Sequence, residues 1–408
     1  MPNDASPPPC PAWRRLLGLF GSFVLLGSGL VTPAWSADMT ITARYLGASD
    51  MEFENTTPPS GFCADLPYFC GNQETIGVPI TYTKSTIRGA SDIRDKFYIR
   101  MPGARKVTVT SQRGDTYDLT MMFTVISQNL TVESGGGVPV LTDSPGGGCS
   151  HLSEEIVDGP DYPGMRYAWT LNNPASPQAC YSDSDHGNDG DRRRSYVDEL
   201  TVGYRLLLPR PFNMRQGLYR GSVTYQVGSG GDIDLGNGVS GLNTNILTIH
   251  FEVDVQHAMD VRFPPGSDHA VLEPPGGWQA WLAGRGAPPL LQRDLPFYLW
   301  STGPLTLFRR CQYERAGQCW IRNGNGDEVP VEVAVSMPPA VHINNRPVHR
   351  EPIPSETGTP LRLDQSMPVD NQRGQLHFRV DGQGVNAMTK QPGTTYTGQV
   401  GVVFDAGL

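Results

Sequence analysis

The sequence predicts an all-β chain folded as two sandwiches, and three observations carry that reading. Apolar and polar residues alternate at period two along many segments, which sends successive side chains to opposite faces of a strand. Glycine and proline, 47 and 36 of the 408 residues, punctuate those segments as turn formers, short of the roughly 25–30% that marks disordered chains. Helical spacing is nearly absent; its one instance, Trp278, Trp281 and Leu282, predicts a single amphipathic turn. One core is not expected at this length, because cores stop growing beyond ~250–300 residues.

The amino terminus reads as an address. Arg14 and Arg15 precede the apolar run Leu16–Val31, and Ala34 and Ser36 are the small residues of a cleavage site after Ser36, the pattern of a secretory signal peptide over 1–36. The run is shorter than the ~20 residues a bilayer span needs. Cys10 lies ahead of it, so cleavage reduces the seven cysteines to Cys63, Cys70, Cys149, Cys180, Cys311 and Cys319. An even number in an exported chain predicts disulfides, and sequence grouping favours 63–70, 149–180 and 311–319 among the possible connectivities. No zinc-type Cys/His spacing is present, and no metal or cofactor is expected.

The strands follow in order. Met39, Ile41, Ala43 and Tyr45 open the series, and Val223, Tyr225 and Val227 lie mid-chain. Leu247, Ile249, Phe251, Val253 and Val255 alternate with Thr248, His250, Glu252 and Asp254, giving one packed and one wet face. Gln256-His257-Ala258 then forms a short joint before Met259, Val261 and Phe263, so the boundary is placed between 37–256 and 257–408. Further strands are expected at Val331–Met337 and Leu376–Val380. The last is Tyr396–Leu408, where Tyr396, Gly398, Val400, Val402, Phe404, Ala406 and Leu408 fall on one face. Such a strand is a pairing hazard unless something lies beside it.

Several function classes are disfavoured. A formal charge of −9 argues against sequence-independent nucleic-acid binding. There is no Gly-x-Ser-x-Gly, His-Glu-x-x-His or phosphate loop, and the eight histidines are scattered without ligand spacing; an enzyme is not expected, although loop carboxylates such as Asp232 and Asp234 keep a secreted β-sandwich glycoside hydrolase as an alternative. The run Asp183–Asp191 invites calcium, but Gly187 and Tyr196 occupy positions where an EF-hand needs ligands. Arg192, Arg193 and Arg194 are candidate receptor-binding residues, able in principle to clamp a saccharide carboxylate or sulfate.

The export signal, a large cysteine-bearing first unit, a smaller β unit and the terminal Tyr-x-Gly-x-Val-x-Val-x-Phe strand together resemble the CblD-like pilus biogenesis initiator family, the alpha-clade (class 5) chaperone–usher fimbrial tip adhesins. Leu206–Pro209, Gly217–Tyr225 and the 247–263 passage carry the resemblance further. It implies two tandem immunoglobulin-like sandwiches, an N-terminal adhesin domain and a C-terminal pilin domain lacking one strand. In that domain Tyr396, Gly398, Val400, Val402 and Phe404 would form one wall of a donor-strand groove, with 259–263 as the other. It also implies a periplasmic chaperone, an outer-membrane usher, a major pilin donating a strand and a host-surface glycan or glycoprotein as partners, and a place at the fimbrial tip. The arginine pair of such adhesins falls at about Gln226 and Val227, so that site is not carried over. The alternative within pili is a non-adhesive shaft subunit, with Met39–Tyr45 as its donor segment.

Overall fold

The computed structural model describes residues 36–47, 52–70, 73–132, 141–157, 164–183 and 187–406; all but the last residue of the expected signal peptide lies outside them. The described chain is mostly β. Its principal elements are β1 (Ser36–Tyr45), β2 (Tyr82–Ile87), β3 (Arg105–Ser111), β4 (Thr116–Val132), β5 (Arg192–Leu207), β6 (Gly217–Gly228), β7 (Ile246–Val255), β8 (Met259–Arg262), β9 (Leu290–Ser301), β10 (Leu305–Cys311), β11 (Glu328–Ser336), β12 (Leu361–Gln365), β13 (Val369–Asp381), α1 (Gly382–Thr389) and β14 (Val400–Asp405).

One continuous path of pairing runs β2-β5-β4-β3-β6-β7-β1. Its core is made by the alternating residues: Leu247, Ile249, Phe251, Val253 and Val255 are all buried, and so are Ala37, Met39, Ile41, Ala43 and Tyr45. The two sets meet because β1 lies parallel to β7 over its whole length, from Ser36 opposite Ile246 to Tyr45 opposite Val255. A parallel neighbour is unusual beside antiparallel hairpins and needs a long excursion between its strands; here all of 46–245 intervenes.

A second core gathers Leu291, Leu295, Phe297, Leu299, Leu305, Leu307, Val331, Val333, Leu376 and Val380. It lies between the β8-β9-β13-β11 sheet and a β12-β10-β14 sheet. Phe297 is fully buried and its ring occupies the space where a side chain on the opposite residue of β13 would stand: a Cβ on Gly374 would fall 2.2 Å from Phe297 Cζ. Gly374→Val is therefore expected to lower stability by about 1–3 kcal/mol, the usual cost of overpacking. A urea midpoint equal to wild type would mean that Phe297 has room to move.

Between the two cores the chain is held closely. The Gln256 N–H donates to Tyr45 O at 2.8 Å. His257 Nε2 donates to Met214 O at 2.7 Å, and its ring meets Tyr45 edge-on at 5.7 Å. Burial lowers the His257 pKa, and the carbonyl partner requires a proton on Nε2.

The three disulfides pair Cys63 with Cys70, Cys149 with Cys180, and Cys311 with Cys319, as sequence grouping favours. Three other features differ from expectation. The turn at Gln279–Leu282 exists, but Trp278, Trp281 and Leu282 are 39%, 40% and 74% exposed; four residues with no side-chain cap present no packed face. Helix α1 has no sequence counterpart above because it contains two glycines; it forms because the Asp381 carboxylate accepts the Gly384 N–H at 2.8 Å, a cap worth about 1 kcal/mol, and because Val385 reaches the core. The terminal strand is also shorter than predicted. Thr397 exchanges two 2.9 Å backbone bonds with Arg322, and a Cβ on Gly398 would sit 3.1 Å from Trp320 O. The chain is thus engaged with a strand of the other sheet before β14 begins at Val400.

Candidate functional site

The first candidate lies around Phe297, with β8 and β14 as end strands of two different sheets. Each pairs on one side, β8 with β9 and β14 with β10. Register fixes which side chains point inward. Phe404 lies opposite Leu307, Val402 opposite Arg309 and Val400 opposite Cys311; Val261 lies opposite Leu299 and Met259 opposite Ser301. Leu307, Leu299, Arg309 and Ser301 are buried, yet Val400, Val402, Phe404, Met259 and Val261 are half-buried and Phe263 is 43% exposed. The inward faces of both edge strands are therefore incompletely covered. Phe297 forms the floor between them, 5.2 Å from the Phe404 ring and 5.9 Å from the Phe263 ring. Tyr396 and Gly398 belong to the segment bound to the other sheet, whereas Val400, Val402 and Phe404 lie on β14 beside Phe297.

Arg309, beside this site, is buried without a carboxylate. Its Nη1 and Nη2 donate to Ile353 O and Gly317 O, both at 2.6 Å, and its Nε lies 3.0 Å from Cys319 Sγ. Burial lowers its pKa. Together with the Cys311–Cys319 bridge, it fixes the end of β10 against which Val400 and Val402 pair.

The second candidate is a polar cleft of about 480 Å³ at the end of β6 farthest from His257. It was not legible in the sequence, since its walls come from 100–105, 176–177 and 226–232. Two glycines make the approach possible: a Cβ on Gly103 would stand 2.8 Å from Ala175 O, and one on Gly231 would stand 2.7 Å from Gln226 O. Asp232 accepts Arg105 Nη2 at 2.5 Å and the Gln226 N–H at 2.9 Å. Arg105 also stacks over the Tyr225 ring at 5.5 Å.

Beneath the cleft, Asp234 is saturated. It accepts Arg94 at 2.5 and 3.0 Å and the N–H groups of Gly230 and Gly236 at 2.8 and 3.0 Å. Burial pushes its pKa up, but these donors outweigh it and hold the carboxyl below its usual range. Arg100 reaches Asp234 at 3.9 Å and keeps half its side chain exposed. Lys84 locks the same loop by donating to Leu235 O and Asn237 O at 2.7 Å, and burial pushes its pKa down to about 8. The result is a cleft lined by two arginines, of which Arg105 is paired with Asp232 and Arg100 stands 3.9 Å from the already satisfied Asp234.

Arg192, Arg193 and Arg194 do not form a three-arginine clamp. They open β5, where alternation puts Arg192 and Arg194 on the exposed face and Arg193 on the face of buried Ser195 and Val197. The acidic run ahead of them is engaged with protein donors. Asp183 takes Lys96 Nζ at 2.9 Å, and Asp191 takes the Asn188 N–H at 2.7 Å; residues 184–186 lie outside the described residues.

No family model and no curated protein matches the chain. Among solved structures it is similar to the CsuC–CsuE chaperone–tip adhesion subunit pre-assembly complex from the archaic chaperone–usher Csu pili of Acinetobacter baumannii, at 9% identity over 91% of this chain and 98% of that chain, with a TM-score of 0.19. A score this low does not establish a shared fold. Among the described residues no helix is long and apolar enough to cross a membrane.

Proposed function

We propose that the chain is a non-enzymatic tip subunit of a chaperone–usher pilus. Residues 37–256 are its receptor-binding domain, and 257–408 are an immunoglobulin-like pilin domain one strand short. The observation that carries this reading is the half-covered inward faces of β8 and β14 on either side of Phe297. An extended segment laid between the two edges would gain main-chain bonds along each and cover the remaining apolar surface. At roughly 1 kcal/mol for each half-covered side chain, the six named would contribute on the order of 5 kcal/mol before ordering costs. A periplasmic chaperone supplies that segment first and a major pilin later, with the usher as the site of exchange. The disulfides fit a protein exported to the cell surface.

The position at the tip rests on β1. Met39–Tyr45, the segment that a shaft subunit would donate, is buried in its own sheet against β7, so this described segment is already committed within its own chain and is not offered to a neighbour. The polar cleft at Arg100, Arg105 and Asp232 replaces Arg192–Arg194 as the receptor site. Its ligand is a carboxylate-bearing saccharide of a host-surface glycan or glycoprotein: a guanidinium fork matches a carboxylate, and Gln226 and Asp232 can bond sugar hydroxyls. The test of the pilin reading is expression with and without the cognate chaperone. A stoichiometric complex, dissociated by a donor-strand peptide of the major pilin, is expected; a chain equally stable and monomeric without the chaperone overturns it.

A further inference from the structure

Away from both sites, a row of side chains across β9, β13 and β11 carries chemistry that the pilus reading leaves unused. Ser336 Oγ lies 2.8 Å from His377 Nε2, and His377 Nδ1 lies 2.7 Å from Asp294 Oδ1. Strand register creates the row: Asp294 is directly opposite His377, and Ser336 lies two residues beyond His377's partner Ala334. His377 is 4% exposed, which fixes the ring, while the Asp294 side chain keeps 31% of its surface exposed. Hydroxyl, imidazole and carboxylate in series, with the imidazole turned by the acid so that its other nitrogen receives the hydroxyl proton, is the arrangement that makes a serine nucleophilic.

A fourth residue spans the row. The backbone N–H of Arg350 donates to Ser336 Oγ at 3.0 Å, and its guanidinium reaches Asp294 Oδ2 at 3.2 Å. Arg350 has a φ of +47°, a conformation uncommon for a residue with a side chain and one that sites of function often hold. Its side chain is 41% exposed, so it lies between the row and solvent.

We propose that Ser336 is an activated serine, able to take one acyl or phosphonyl group from an electrophile, with Arg350 restricting access. With an alkyl fluorophosphonate the Ser336 Oγ–P bond forms and the P–F bond breaks. Fluoride leaves, the hydroxyl proton passes to His377 Nε2, and Asp294 stabilises the resulting imidazolium through Nδ1–H. This goes beyond the adhesin reading and does not depend on it.

The test is treatment of the purified full chain with a tagged alkyl fluorophosphonate, read by intact mass and peptide mapping. One adduct per chain on Ser336 is expected, absent in Ser336→Ala, slowed on the order of 10²-fold in His377→Gln and accelerated in Arg350→Ala. No adduct on Ser336 in either the wild type or Arg350→Ala overturns the proposal and leaves the row as a structural network. An equal labelling rate in His377→Gln overturns it as well. Should His377→Gln fail to fold, Asp294→Asn replaces it, and the wild-type adduct site is readable without any variant.

Discussion

Phe404→Asp is expected to abolish recovery of the chain in complex with its periplasmic chaperone. Phe404 points inward opposite Leu307 and meets Phe297 edge-on, so the change removes half-covered apolar surface that an inserted strand would bury and leaves a carboxylate with no partner in an apolar groove. Gly401→Asp is the control. Gly401 lies on the other face of β14, opposite Arg310, and is exposed, so a carboxylate there keeps its water and recovery is expected to stay within about twofold, as for substitutions outside a core. Deleting Gly393–Leu408 is expected to match Phe404→Asp, while the β1–β7 sheet still folds. Pull-down of the chaperone with each variant decides the matter, and equal recovery of Phe404→Asp and wild type would remove the groove from the account.

Arg100→Ala is expected to weaken binding to sialylated or uronic-acid glycans at least about tenfold, since a hydrogen bond to a charged group contributes about 1.5–3 kcal/mol. Arg100 is the better target of the two cleft arginines because Arg105 is already committed to Asp232 and Tyr225, whereas Arg100 stands 3.9 Å from a carboxylate that Arg94 has satisfied. Removing Arg100 therefore frees no buried charge, and the fold should be unaffected. Arg192→Ala with Arg194→Ala should leave binding unchanged. Glycan-array binding by the full chain, repeated at raised salt, reads all three; loss of binding only in the Arg192/Arg194 variant would return the receptor site to β5. Binding that ignores salt would speak against a carboxylate ligand.

The strands were legible wherever one face is buried and the other wet, as in 247–255, because period two then has no competing explanation. The terminal segment misled by regularity: its alternation runs through Tyr396 and Gly398, but backbone bonds from Thr397 to Arg322 begin on the other sheet, and no pattern in the local sequence encodes that long-range pairing. The arginine run is adjacent in sequence and suggests a cluster, but strand geometry separates neighbours and brings i and i+2 together. The cleft and the Ser336 row escaped for the opposite reason. Their members are far apart in sequence, and only the register of the folded sheets assembles them.

The parallel union of β1 and β7 has a mechanical consequence. β7 is the strand through which the chain leaves the first core, and it is held along Gly217–Gln226 of β6 on one side and along all of β1 on the other. Tension applied beyond Val255 therefore runs along the length of β7 and loads both ladders in shear, so that many bonds must fail together rather than one after another. The strand nearest the load is paired along its whole length on both sides, and forced unfolding, which is governed by the barrier to rupture, should begin elsewhere in the chain.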